Sequence, residues 1–334
     1  MQAGKLPLEL LSQLLSKVSI DDPRIALGPT AGEDAALIDF GDTYLVAKTD
    51  PITFATDVIG WYLVQVNAND LAAMGATPRW LMSTLLLPEG TRPEEVQSIF
   101  DQLLEACREL NITLVGGHTE ITYGLPRAIA VGAMLGEVAK DRVVLTSGAR
   151  AGDAIILTKG IAIEGTALLA REAEEGLLVA GVAADVVERG KGYLYSPGIS
   201  VVRDATVARD TVKVHSMHDP TEGGLATALL EIATVAGVGI IVDLDRIPIL
   251  PECETFCRAL GLDPLGLIAS GALVATVDPG DSALLIEALT QAGIPAFEIG
   301  RVTPPEQGLR LRTGQATRDM PVFERDELAR FLGS

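Results

Sequence analysis

The stretch Asn67-Ala68-Asn69-Asp70-Leu71-Ala72-Ala73-Met74-Gly75-Ala76 sets a carboxylate inside an otherwise apolar helix. The spacing of Ile59, Leu63, Val66, Leu71 and Met74 predicts that helix over residues 57–74, ended by Gly75. An ionised Asp among Val66, Leu71, Ala72 and Ala73 is costly to bury without a partner, so Asp70 asks for a cation. Three further acidic residues stand beside small residues at element ends. They are Asp34 in Gly32-Glu33-Asp34-Ala35-Ala36, Asp50 in Thr49-Asp50-Pro51, and Asp219 in His218-Asp219-Pro220-Thr221-Glu222-Gly223-Gly224. Any one alone reads most simply as a turn or cap. Taken together they favour a shared metal role, because hard carboxylate oxygens suit magnesium and magnesium bridges such oxygens to ATP phosphates.

Outward from this helix, both halves of the sequence alternate strands and helices. An amphipathic helix occupies Met1–Lys17, with Leu6, Leu10, Leu11, Leu14 and Leu15 on one side. Ala35–Ile38 and Thr43–Thr49 form a hairpin about the turn Asp39–Asp42. Strands are expected at Trp80–Leu87, Leu114–Gly117 and Ala128–Gly136, and a helix at Pro93–Leu110 with Pro in its first turn. Small and turn residues mark a boundary near Ser147–Gly152, dividing a domain 1–148 from a domain 149–334. Beyond it come strand Ala154–Thr158, helix Gly165–Glu175, helical sequence to Arg209, strand Val214–His218, helix Leu225–Ala236 and strand Gly239–Asp243. Strand–helix alternation then runs from Gly271 to Val302. The fold class is mixed αβ, in two domains.

With 334 residues and 48% apolar content the chain has ample core for two domains. Its net charge of −19 argues against a nucleic-acid partner. No apolar run reaches the roughly 18 to 20 residues that cross a bilayer. Three cysteines, Cys107, Cys253 and Cys257, make no disulfide framework and read as buried thiols, which fits the cytoplasm. Neither Gly-x-x-x-x-Gly-Lys-Ser/Thr nor a strand-following Gly-x-Gly-x-x-Gly occurs. Gly116-Gly117 leaves a strand in Val115-Gly116-Gly117-His118-Thr119-Glu120, where backbone N–H groups cup a phosphate or make an ordinary turn. Gly223-Gly224 stands similarly before a helix N-terminus.

The ordered set Gly-Glu-Asp-Ala-Ala, Thr-Asp-Pro, Asn-Asp-Leu-Ala-Ala-Met-Gly-Ala-x-Pro, Gly-Gly-His-Thr-Glu and His-Asp-Pro-Thr-Glu-Gly-Gly resembles the AIR synthase (PurM-like) superfamily. The resemblance spans nearly the whole chain. It implies an N-terminal αβ domain that pairs with a second subunit into a β-barrel, a C-terminal αβ domain, and ATP and magnesium as cofactors. Carried over by position, Asp34, Asp50, Asp70 and Asp219 are the implied magnesium ligands. Asn67, one turn before Asp70, and Gly116, Gly117, Thr119, Thr221, Gly223 and Gly224 are the implied nucleotide side. His118 stands where many members have an acid, and Glu120 is the implied substitute; with Asp70 these two form the candidate catalytic set.

Within the superfamily the chain is most similar to the hydrogenase-maturation HypE group, through Asp-Pro-Thr-Glu-Gly-Gly-Leu-Ala-Thr and Leu267-Ile268-Ala269-Ser270-Gly271-Ala272-Leu273. Pro51-Ile52-Thr53-Phe54 replaces the segment expected of thiamine-monophosphate kinase. HypE proteins end in Pro-Arg-Ile-Cys, whereas this sequence ends Arg330-Phe331-Leu332-Gly333-Ser334, so dehydration on a terminal cysteine is not expected. The resemblance implies an enzyme that phosphorylates an amide-like oxygen of a small-molecule substrate and eliminates phosphate. The alternatives are an ATP-binding maturation or regulatory protein, or a small-molecule kinase. The expected partners are a second copy of the chain and a metallocentre-maturation protein, without nucleic acid or membrane. Ala35–Ile38, Thr43–Thr49, Trp80–Leu87 and Ala128–Gly136 are apolar on both faces, which predicts a four-stranded sheet buried on both sides in a homodimer.

Overall fold

A long helix in which every residue is buried has to be covered on all sides, and the segment Ile59–Ala73 is such a helix. The computed structural model that shows it describes residues 6, 8–30, 32–53 and 57–333. Readings that touch Met1–Lys5, Pro7, Phe54 and Ser334 lie outside the described residues. The chain divides into two compact units. The N-terminal unit is Ile20–Pro29 with Asp34–Val143; the C-terminal unit is Met1–Ser19, Thr30–Glu33 and Val144–Ser334. The first element, helix Leu8–Leu15 (α1), counts with the C-terminal unit. Within it Leu14 is exposed and Leu10, Leu11 and Leu15 are half-buried.

The N-terminal unit runs β1 (Ile25–Leu27), β2 (Ala36–Asp39), β3 (Thr43–Ile52), α2 (Ile59–Ala73), β4 (Thr77–Pro88), α3 (Pro93–Glu109), β5 (Thr113–Thr122) and β6 (Ile129–Ala139). Its strands form one sheet in the order β1-β2-β3-β6-β4-β5, antiparallel except for β4 with β5. Helix α2 packs on β3, β6 and β4, and α3 packs on α2, which explains the complete burial of α2. The hairpin forms as the sequence predicts, with Ala36 opposite Ala47 and Asp39 opposite Tyr44. One expectation is corrected: the sheet has six strands, because β1 joins and the strand expected at Leu114–Gly117 pairs as the edge strand β5. Within one chain, along β6, Ala130, Gly132, Met134, Gly136 and Val138 are buried, whereas Ile129, Val131, Ala133 and Leu135 are half-covered.

The C-terminal unit continues β7 (Ala154–Thr158), α4 (Ile163–Glu172), α5 (Glu174–Val179), α6 (Ala184–Gly192), α7 (Val202–Thr211), β8 (Val214–His218) and α8 (Gly224–Ala236). It then runs β9 (Gly239–Asp243), α9 (Pro251–Leu260), β10 (Val274–Val277), α10 (Ser282–Gln291), β11 (Ala296–Thr303), β12 (Leu309–Thr313), β13 (Ala316–Asp319) and α11 (Glu327–Leu332). The sheet order is β13-β12-β9-β11-β7-β10-β8, with only β12 and β9 parallel. Strand β7 is buried along its whole length, and Ile155 and Leu157 share a core with Leu225, Leu229 and Ile232 of α8. The helix expected over Gly165–Glu175 breaks at Ala173, where no Gly or Pro marks the interruption. The three cysteines are free and buried, and Cys253 and Cys257 share α9.

Candidate functional site

In the N-terminal unit, three of the sequence-predicted acids converge. Asp70 sits on α2, Asp50 on β3 and Asp34 just before β2; carboxylate oxygens of Asp34 and Asp70 lie within 4.8 Å of one another. Lys48 is two residues before Asp50, so both project from one face of β3, and its Nζ lies 3.2 Å from Asp70 Oδ2. Burial drives the Asp70 carboxyl up to about 7; Lys48 opposes that rise, while the Asp50 and Asp34 charges add to it. The Asp34 and Asp50 charges act on Asp70 and Lys48 is ion-paired with it, so the corner is an all-oxygen donor set short of positive charge. Such a set fits a hard divalent cation, and Asp34, Asp50 and Asp70 are the residues that would hold it.

Asn67 does something other than face a nucleotide. It is wholly buried; its Oδ1 accepts from the Asp50 N–H at 3.0 Å, and its Nδ2 donates to the Leu63 carbonyl at 2.9 Å and the Asp50 carbonyl at 3.3 Å. The amide therefore clamps the β3 main chain on either side of the Asp50 side chain. Gly132 lies opposite Asp50 in β6, and a Cβ there would fall 2.5 Å from Asn67 Nδ2. Glycine at 132 is what lets the clamp close.

The Gly116-Gly117 segment is no loop. It runs straight through β5, with Met82 opposite Gly116, Ser83 opposite Gly117, Thr84 opposite His118 and Leu85 opposite Thr119. A Cβ on Gly117 would sit 2.0 Å from the Ser83 carbonyl oxygen, so glycine serves the close approach of β4 and β5 rather than a phosphate cup. His118 Nε2 and Glu120 Oε2 are 3.0 Å apart and both exposed, and Thr122 donates to Glu120, holding its carboxyl below the usual range together with His118. Because β5 lies three strand positions from β3, His118, Thr119 and Glu120 are about 14 Å across the sheet from the Asp50 strand. Within one chain the sheet does not bring them to Asp50.

In the C-terminal unit, Asp219 is buried at the end of β8, after His218, whose Nε2 lies 3.0 Å from Glu231 Oε2 on α8. The following turn uses its own amides. The Gly224 N–H donates to the Thr221 carbonyl, and the Gly223 N–H donates to Asp326 Oδ2 at 2.7 Å. Neither N–H is left for an anion in this arrangement, unlike the cup read from the sequence. Sequence reasoning missed Lys48, Gly132 and Asp326. Lys48 alone carried a signal, as the lysine two residues before an expected metal ligand.

Among the described residues no helix is long and apolar enough to cross a membrane. Comparison with known proteins gives two family matches. Residues 32–138 match the N-terminal domain, and residues 150–311 the C-terminal domain, of the family described as AIR synthase related protein. A Methanocaldococcus jannaschii protein assigned to hydrogenase expression/formation is 32% identical over 330 residues, spanning 96% of this chain and 95% of its own. The carbamoyl dehydratase HypE of Rhodobacter capsulatus is 29% identical over 334 residues, spanning 96% and 94%. The crystal structure of a hydrogenase maturation protein HypE in complex with ATP superposes with a TM-score of 0.70 at 25% identity, covering 95% of this chain and 96% of that one.

Proposed function

The chain belongs to the AIR synthase related protein family, and from that premise we propose that it is an ATP-dependent enzyme that phosphorylates an amide-like oxygen and eliminates phosphate. The observation that carries this reading is the closeness of the Asp34 and Asp70 carboxylates, with Asp50 and Lys48 acting on Asp70, in a relative of a HypE bound to ATP. Asp34, Asp50 and Asp70 would hold magnesium, with Asp219 joining them by the resemblance of its motif. Bound there, magnesium neutralises charge on the transferring phosphoryl group.

The chemistry follows from a poor leaving group. The amide oxygen attacks the γ-phosphorus, a P–O bond forms, and ADP departs with the bridging oxygen. The carbon–oxygen bond then breaks, phosphate carries the former amide oxygen away, and the nitrogen gives up its protons. The net result is loss of water from the carboxamide and hydrolysis of ATP, in keeping with relatives named carbamoyl dehydratases. The chain's part is to fix the carboxylates: Asn67 sets the Asp50 backbone, and the apolar packing of α2 sets Asp70. We further propose a homodimer through the N-terminal unit and a metallocentre-maturation partner, on the strength of the hydrogenase-formation relatives.

The test is Asp70→Asn. Incubated with magnesium, ATP and a panel of small carboxamides, the wild type is expected to form ADP in a substrate-dependent way and release free phosphate. The variant is expected to lose at least about a hundredfold in turnover while keeping its circular-dichroism spectrum. A variant that turns ATP over normally overturns the assignment. A phosphorylated product without free phosphate makes the protein a small-molecule kinase.

A further inference from the structure

The acidic corner of the N-terminal unit brings its own cation. Lys48 Nζ lies 3.2 Å from Asp70 Oδ2, on a carboxylate that a divalent ion would also use. The ammonium and such an ion would contend for one small space and repel each other. Asp70 is held by α2 and is 5% exposed, whereas the Lys48 side chain is 27% exposed on a flexible four-carbon stem. Of the pair, the lysine is the partner able to move. It also stands on the same strand face as Asp50.

We propose that Lys48 is a built-in counter-cation that occupies Asp70 until nucleotide arrives, and then turns to the nucleotide's phosphates. The divalent ion then enters with the nucleotide instead of ahead of it. Two properties of the pair lead to this. A charge on Asp70, buried in an apolar helix, needs a counter-charge, and Lys48 supplies one. With metal and polyphosphate present, the ion takes over Asp70, and the displaced ammonium finds anionic oxygens within the reach of its own stem. The inference rests on the metal–nucleotide reading of the site given above.

Free Mn2+, followed by its electron paramagnetic resonance signal at about pH 8, above the carboxyl range, tests it. The wild type is expected to bind Mn2+ weakly alone and tightly together with a non-hydrolysable ATP analogue. Lys48→Gln keeps a donor for Asp70 but removes the charge. It is expected to bind Mn2+ alone about tenfold more tightly than the wild type and the Mn2+–analogue complex less tightly. Lys48→Arg keeps the charge, so it must bind Mn2+ alone no more tightly than the wild type, and it serves if the glutamine variant does not fold. Unchanged Mn2+ binding in Lys48→Gln, or tighter binding in Lys48→Arg, overturns the proposal while leaving the proposed function standing. A wild type that binds neither Mn2+ nor the analogue removes both.

Discussion

Replacing Gly132 with Ala tests whether the Asn67 clamp is what fixes Asp50. The new Cβ would lie 2.5 Å from Asn67 Nδ2, 2.7 Å from Cγ and 2.9 Å from Oδ1, so the whole carboxamide is in its way. Asn67 is fully buried and has no open space to retreat into. Overpacking of this kind costs about 1–3 kcal/mol. Moving the amide also breaks its bonds to the Asp50 main chain, and each net bond lost costs about 0.5–1.5 kcal/mol. With two such bonds the expected loss is about 2–6 kcal/mol. The two tryptophans, Trp61 on α2 and Trp80 on β4, both belong to the N-terminal unit, so fluorescence-detected urea unfolding reads this unit alone. In an Asn67→Ala background the obstructing amide is gone, and the same substitution should cost less than about 1 kcal/mol. Equal costs in the two backgrounds would refute the steric argument.

Two further expectations concern other parts of the molecule. Burial pushes the Asp326 carboxyl from 3.8 up to about 6, despite bonds from the Gly223 and Leu328 N–H groups. A folded-state value above the unfolded one means stability that is present below about pH 4 and lost as pH rises through about 6, on the order of 3 kcal/mol in all. Asp326→Asn cannot titrate, so the stability difference between it and the wild type should move in the variant's favour over that window; a pH-independent difference would contradict the assignment. Light scattering should give a mass of twice 35.1 kDa, because β5 is an edge strand with Val115 and Ile121 exposed, next to exposed Met82 and Tyr123. A single-chain mass at micromolar concentration would end the dimer proposal.

What the sequence revealed and what it hid follow the range of the forces involved. Asp70 was legible because a charge in an apolar helical period violates a local rule, and such violations mark sites. The hairpin β2–β3 and helices α2 and α3 were legible for the same reason, since their periods, caps and turns act within a few residues. Gly116 and Gly117 misled because glycine's local preference is for turns. In the fold, the pairing of β5 with β4 over some thirty residues overrides that preference, and the missing side chain at 117 is used for strand contact. Asn67 looked like a ligand-binding amide because it shares a helix face with Asp70; only the arrival of β3 beside α2 shows that its polar atoms are already committed. Asp326 lies 103 residues from the Gly223 amide it accepts from, and nothing in its neighbourhood points there. The candidate acids could thus be read from local chemistry. The clamp of Asn67 with Gly132 becomes visible only when strands and helices distant in sequence are packed together, because such a contact is long-range by nature.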